Sequence, residues 1–242
     1  MSTGKQGNST FYKRAYINAM KKMILAAMTL AAASTSRGQA NLGVEGGLNM
    51  ANYIQKYGDN IRPSEYVSGV RIGVIIDGAI GRRCFLQSGL SYVQNGTKFY
   101  IYNTSYYPVP LTMNVNSLVL PVNFIYKTGK QYRNHFFVGG GLTFGVNING
   151  SSTTVPKTIY NRDLRIGSEK TNDLKRLEAG GCINMGIEFK KGLFFRAGYH
   201  TGFTNLNPIS NSTDAILVKN RNISLTFGFL IRKTMHKVKR SK

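Results

Sequence analysis

Side chains that could do chemistry are few in this 242-residue chain, and they are widely spread. Its histidines are His135, His200 and His236, and its cysteines are Cys84 and Cys182. The cysteines have no Cys-x-x-Cys spacing, and we expect both to stay unpaired. The sequence contains no Gly-x-Ser-x-Gly elbow. A general base needs a positioned nucleophile nearby, so a polar structural role at His200 is favoured. We expect no catalytic residue, no metal site, no cofactor and no enzymatic activity.

A second set of candidate residues is charged, and each member lies in a segment where polar and apolar residues alternate. These residues are Glu45, Arg71, Glu178, Glu188 and Arg196. Acids and bases can neutralise one another only if the faces that carry them meet. Whether these faces meet depends on the secondary structure of the segments that carry them.

In these segments, apolar and polar residues alternate with a period of two residues. After Ala40 no stretch shows a sustained apolar recurrence at 3.6 residues, whereas alternation of apolar and polar side chains recurs along the chain. It predicts eight strands, each near the roughly 10 residues that a tilted membrane strand needs, at 42–50, 68–77, 84–94, 117–127, 135–148, 178–189, 193–203 and 222–231.

The connections between these segments alternate in length. Links after the second, fourth and sixth segments are short or modest, whereas the others are long, at 51–67, 95–116, 149–177 and 204–221. Outer-membrane barrels show this alternation. The sequence therefore predicts an all-β fold, an eight-stranded antiparallel up-and-down transmembrane β-barrel with short periplasmic turns and long extracellular loops. A soluble lipocalin-like barrel with the faces inverted is the alternative, because inversion does not change the period.

The polar face of the strands is rich in glycine, which suits the narrow interior of an eight-stranded barrel. Isolated buried charges cost several kcal/mol, so acids and bases on this face are expected to pair. We predict a lumenal charge network in which Glu45, Glu178 and Glu188 pair with Arg71 and Arg196. The alternative is that some of these residues lie unpaired at wet strand ends.

The N-terminal region carries an export signal. Lys21 and Lys22 precede an apolar run from Met23 to Ala33, and Gly38-Gln-Ala40 is a small-x-small cleavage site. We predict an N-terminal extension and signal peptide over 1–40, cleaved after Ala40, a barrel over 41–231 and a basic tail over 232–242. Met20 is the expected start; the alternative is that residues 1–19 form a long basic n-region.

The net charge of +22 does not indicate nucleic-acid binding. Residues 1–40 hold six Lys and Arg and no acid, and residues 232–242 hold six more. A nucleic-acid surface would gather the surplus on one face with interleaved aromatics. We expect no nucleic-acid partner.

The strand motifs also resemble a known family. The stretches GVEGGLNMANY, SGVRIGVIID, FLQSGLSYVQNGTK, SLVLPVNFIYK, FFVGGGLTFGV and NISLTFGFLI occur in this order over about residues 41–231. They look like the small outer-membrane barrels of Bacteroidetes, which are labelled porin-family or PorT-type. The resemblance implies an eight-stranded barrel with no cofactor and no catalytic residue. One member type is associated with a protein-secretion system, but strand motifs do not transmit that role. Unlike such chains, this one continues past Ile231.

We therefore expect a monomer in the outer membrane, delivered by signal-peptide export, with a structural or interaction role through its extracellular loops. Its expected partners are outer-membrane lipid, the outer-membrane assembly machinery and a protein partner at the loops. A narrow solute channel, a PorT-like component of a secretion system and a lipid-directed membrane enzyme are the alternatives. The enzyme would need a nucleophile beside His200.

Overall fold

The structure, a computed structural model, describes residues 40–102, 108–129, 133–155, 161–209 and 216–231. Predictions for residues 1–39 and 232–242 lie outside the described residues. Among those described, no helix is long and apolar enough to span a membrane. The described strands are β1 (Ala40–Tyr57), β2 (Asn60–Arg62), β3 (Val67–Ala79), β4 (Cys84–Tyr102), β5 (Pro108–Lys127), β6 (His135–Thr154), β7 (Asn161–Asp163), β8 (Leu177–Glu188), β9 (Leu193–Gly202) and β10 (Leu217–Ile231).

Eight of these strands form a closed antiparallel ring in the order β10, β9, β8, β6, β5, β4, β3, β1, and pairing between β10 and β1 closes it. The short strands β2 and β7 pair with β1 and β6 outside the ring. Closure pairs every strand of the ring with two neighbouring strands, which lipid requires because it supplies no hydrogen-bonding partner. The predicted eight-stranded up-and-down barrel is confirmed.

The barrel has two unlike ends. At one end, here called the turn end, residues 80–83, 128–134 and 189–192 connect the strands. At the other, the loop end, connections follow β1, β4, β6 and β9, and those after β1, β6 and β9 are longer than any at the turn end. The sequence prediction ended the strands at this end too early, because β1 continues to Tyr57, β4 to Tyr102, and β5 begins at Pro108. Apolar alternation stops where lipid stops, whereas backbone pairing continues into water.

The two faces of the ring differ in chemistry. Outward side chains are apolar and exposed, such as Leu48 at 62% and Phe227 at 56%. Inward side chains are largely polar and buried, such as Glu45 at 4% and Asn49 at 0%. A soluble barrel would have the reverse arrangement. Apolar side chains facing outward around a closed ring are what a lipid environment selects.

Small residues allow the lumen to be filled. A Cβ atom on Gly228 would collide with the ring of Phe194, and one on Gly47 would collide with the backbone oxygen of Leu225. At these inward positions only glycine leaves enough room for the neighbouring side chain or backbone. The pairing of β5 with β6 shifts by one residue between Asn116 and Ser117. The extra residue in β6 reverses the alternation beyond this point, so both Asn147 and Thr154 are buried.

Two apolar clusters occupy the lumen, one near each end. The turn-end apolar cluster consists of Ile75, Phe85, Ile125, Phe137, Phe194 and Leu230. The loop-end apolar cluster consists of Tyr53, Val115, Leu164, Leu174 and Leu206. In the loop-end cluster, Leu164, Leu174 and Leu206 come from the connections after β6 and β9, so the described parts of these connections pack onto the end of the barrel. A buried apolar cluster thus lies near each end of the lumen.

Candidate functional site: the filled lumen and the loop end

A central ion group lies between the two apolar clusters and consists of Glu45, Arg71 and Arg196. Arg71 Nε lies 3.2 Å from Glu45 Oε1, and Arg196 Nη1 lies 3.0 Å from Glu45 Oε2. The three side chains come from β1, β3 and β9. Each carboxylate oxygen therefore has its own guanidinium, and such charge-assisted hydrogen bonds are among the strongest available.

A second group, the turn-end ion group, consists of Asp77, Lys127, Glu188 and His135. Lys127 Nζ lies 2.7 Å from Asp77 Oδ2 and 2.9 Å from Glu188 Oε2. His135 Nε2 lies 3.3 Å from the same oxygen of Glu188. All four side chains are buried. One ammonium group thus joins two carboxylates from opposite parts of the ring.

Gln87 links the two ion groups. Its Oε1 accepts a hydrogen bond from Arg196 Nη2 at 2.6 Å, and its Nε2 donates to Asp77 Oδ1 at 3.3 Å. The cations also lie against the turn-end apolar cluster, with Lys127 Nζ 3.9 Å from the centre of the Phe85 ring. Contacts of this kind add cation–π attraction to ion pairing. The half of the lumen nearer the turn end therefore contains a connected polar network packed on aromatic rings.

The network is balanced in charge. Glu45, Asp77 and Glu188 supply the carboxylates; Arg71, Arg196 and Lys127 supply the bases. Taking charges out of water costs several kcal/mol for each ion unless partners and hydrogen bonds offset it. Equal numbers of acids and bases reduce this cost and help to hold opposite walls of the barrel together.

The predicted site residues fall into three places. Glu45, Arg71 and Arg196 lie together in the central ion group. Glu188 lies in the turn-end ion group, beside Lys127. Glu178 lies nearer the loop end, where its Oε2 accepts a hydrogen bond from Asn220 at 3.3 Å and its Oε1 has no partner among the described residues.

Sequence reasoning missed Lys127, Asp77 and Gln87 as members of the network, although the signal was present. Tyr126 is an apolar-face residue, so alternation puts its neighbour Lys127 on the inward face. In the same way, Asp77 and Gln87 follow the apolar residues Ile76 and Leu86 and face inward. What the sequence does not contain is which inward residues lie at the same height in the barrel.

Polar side chains and two cavities occupy the rest of the lumen. One cavity is lined by Asn123, Thr143, Cys182 and His200, among others, and the second also reaches His200. His200 Nε2 lies 2.7 Å from Thr143 Oγ1, and the two cysteines are free thiols. No group of three or more His, Cys, Asp or Glu able to hold a metal ion occurs in the described part of the chain.

The loop end is held in place by its own ion pairs. Asp173 accepts hydrogen bonds from Arg162 Nη2 at 2.6 Å and from the backbone N–H of Arg165 at 2.9 Å. Partial burial would raise the pKa of Asp173, but these bonds outweigh it and hold the pKa below its ordinary value. Hydrogen bonds from Lys98 and Tyr100 likewise lower the pKa of Glu65.

One side of the barrel projects beyond the other at this end. β6 pairs with β8 only as far as Val146↔Leu177, whereas its pairing with β5 continues to Leu111↔Thr154. Residues 147–154 therefore extend roughly 25 Å further along the strand direction, at about 3.3 Å per residue. The upper parts of β4, β5 and β6, with β7 at the edge, form what we call the projecting sheet.

The central ion group makes a direct prediction for stability. Glu45→Gln leaves two guanidinium groups without a carboxylate between them, and breaking a buried pair in this way costs about 3–5 kcal/mol. We expect a loss of this size in the free energy of unfolding, measured by urea titration in lipid vesicles. The exposed Glu169→Gln is the control, with an expected change below about 0.5 kcal/mol. Equal stability of the Glu45 variant and the wild type would contradict the pairing.

Several solved outer-membrane proteins are similar to this chain. Among solved structures, the chain is similar to the outer membrane protein OprG from Pseudomonas aeruginosa, at 8% identity and a TM-score of 0.47, covering 81% of this chain and 98% of that one. It is also similar to Ail, the attachment invasion locus protein of Yersinia pestis, solved in complex with the heparin analogue sucrose octasulfate. That match has 9% identity and a TM-score of 0.40, and it covers 80% of this chain and 99% of Ail. The match to Neisserial surface protein A has 12% identity and a TM-score of 0.41, and it covers 79% of this chain and 98% of that one.

No curated protein matches the sequence. A family match covers most of the barrel, over residues 32–207, and its description is outer membrane protein beta-barrel domain. Outward apolar side chains, a closed ring of strands and this match all indicate an outer-membrane location. The chain belongs to the outer membrane protein beta-barrel domain family.

Proposed function

We propose that this protein is a closed outer-membrane barrel that acts by contact at its loop end and passes no solute through its lumen. The observation that carries the proposal is the filling of the lumen. Two apolar clusters and two ion groups follow one another from the turn end to the loop end. An eight-stranded barrel has an interior just wide enough for side chains, and here side chains occupy it.

Closure is tight at both ends. In the turn-end apolar cluster Phe194 and Ile125 are each 1% exposed, and in the loop-end cluster Leu174 and Leu206 are 2% and 0% exposed. A water path would require both clusters to separate and the charged groups of the lumen to lose their partners. Removing one partner of a buried pair costs about 3–5 kcal/mol, so such openings are rare.

The loop end has the features of a contact surface. Large apolar side chains remain exposed there, including Ile61 at 65%, Tyr57 at 53% and Tyr100 at 40%. The short strands β2 and β7 lie at the margins of paired sheet, and all their residues are exposed. Exposed strand edges can pair with an added strand from another chain, which favours a protein as the partner.

The proposal also covers the export of the protein, its assembly in the membrane and the family it is related to. We infer export through the signal over residues 20–40 with cleavage after Ala40, recognition of the barrel by the outer-membrane assembly machinery, and a monomer, because the ring has no unpaired edge in lipid. The motifs at 46–49 and 86–92 support kinship with the small Bacteroidetes barrels. The proposal includes no enzymatic step and no role in secretion.

Planar-bilayer recording distinguishes contact from passage of solutes. Purified protein inserted into a bilayer in KCl is expected to give no steady conductance, because the lumen is filled. A 16-stranded porin in the same chamber is the positive control, and heat-modifiable gel mobility confirms that the inserted protein is folded. Steady single-channel steps from the folded wild type would overturn the closed-barrel proposal in favour of a narrow channel.

Photo-crosslinking tests the contact role. A photoreactive amino acid at Asn114, exposed on the projecting sheet, is expected to give discrete protein adducts in intact cells. The same group at Phe136, which is 64% exposed on the lipid-facing side, is the matched control and should give no discrete protein adduct. Absence of adducts at Asn114, or the same adducts at both positions, would count against a partner at the loop end.

A further inference from the structure

The turn end of the barrel carries charge of one sign only. The connections at 80–83, 128–134 and 189–192 hold six bases and no acid in the sequence. The five that the structure describes are all exposed, and they are Arg82, Arg83, Arg133, Lys190 and Lys191. The nearby carboxylates of Asp77 and Glu188 point into the lumen and are bound by Lys127, so they do not offset this charge at the surface.

The bases lie at the height where a lipid-facing surface meets water. Arg83 Nη1 lies within hydrogen-bond distance of the hydroxyl of Tyr126, at 3.2 Å, and Tyr126 is an exposed aromatic residue of the outward face. Apolar outward residues flank the same rim, with Ile80 at 55%, Phe136 at 64% and Ile231 at 60% exposed. Aromatic rings and cations adjoining an apolar band mark the headgroup region of a bilayer.

The bases also surround the barrel. The three turns join β3 to β4, β5 to β6 and β8 to β9, which are successive pairs around the ring. A protein partner would cover one sector of this rim. Charge carried by three separate turns fits an occupant that extends around the barrel.

The loop end differs. Bases there are interspersed with acids, and several pair with them, as in Lys56 with Asp59, Lys98 with Glu65 and Arg162 with Asp173. The one-signed rim is therefore a property of the turn end and not of the whole surface. Clustered bases at a membrane surface attract anionic headgroups, each contributing by its charge within a Debye length.

We propose that the turn end is an interaction surface for anionic phospholipid headgroups, which bind around the rim through the five described bases Arg82, Arg83, Arg133, Lys190 and Lys191. The phosphate of such a lipid accepts hydrogen bonds from a guanidinium or an ammonium group, while its acyl chains lie against the apolar band above. This binding is independent of the closed lumen and of any partner at the loop end.

The test is lipid selectivity in reconstituted membranes. The purified full chain is placed in phosphatidylcholine bilayers that contain a trace of spin-labelled phosphatidylglycerol or spin-labelled phosphatidylcholine. Electron paramagnetic resonance then gives the fraction of each label immobilised at the protein surface. We expect the wild type to prefer phosphatidylglycerol by more than about two-fold, and molar salt to remove most of this preference.

One variant removes a base from each turn, Arg82→Gln with Arg133→Gln and Lys191→Gln. It is expected to lose at least about half of the preference. The matched control removes three bases at the loop end, Lys56→Gln with Arg165→Gln and Lys170→Gln, and should keep it. Residues 232–242 are the same in all three proteins, so their charge cancels in the comparison. Gel mobility with and without heating shows that each variant is folded.

Three results would overturn the proposal: no preference in the wild type, an unchanged preference in the turn variant, or an equal loss in the loop control. A cell-wall partner is a separate outcome. If soluble peptidoglycan fragments bind the detergent-solubilised wild type and not the turn variant while lipid selectivity is unchanged, the rim binds the cell wall and the lipid proposal is wrong.

Discussion

In a closed ring of eight strands, each side chain of a strand points either into the lipid or into one narrow lumen, and neighbours along a strand alternate between the two. The outer face is therefore restricted to apolar residues. Every polar group that the chain places on the inner face must find its partner among the few residues at the same height. The sharing of Glu45 between Arg71 and Arg196, and of Lys127 between Asp77 and Glu188, meets this demand. Inward glycines make room for it.

A lumen filled in this way moves function to the two ends of the molecule. Above the membrane, the projecting sheet and the loops that cover the barrel mouth present exposed aromatic residues and strand margins. At the turn end, each of the three turns presents exposed bases. The two ends thus differ in chemistry, one suited to a protein contact and the other to charged headgroups, while the barrel between them serves as a rigid connection.

The sequence predicted the ring well because period-two alternation is a local property. The faces of Val70, Ile72 and Val74 follow from neighbours one residue away. Partners across the lumen depend on strand stagger, which no local pattern contains, and so the position of Glu188 beside Lys127 could not be predicted. Phe85, Phe137 and Phe194 were overlooked for another reason: they are apolar residues on the inner face, where only polar residues were sought. The same search for apolar alternation ended β4 too early, before Lys98.

The central claim is that the apolar face meets lipid and that the inner face packs against itself. Nitroxide scanning of residues 222–229 on β10, in a protein whose Cys84 and Cys182 are replaced by serine, measures this directly. Collision rates with lipid-soluble oxygen should rise and fall with a period of two, highest at Ile223, Leu225 and Phe227, while a water-soluble nickel chelate gains little access at any position. Oxygen maxima at Ser224 and Thr226, or strong nickel access at these inward positions, would contradict the account.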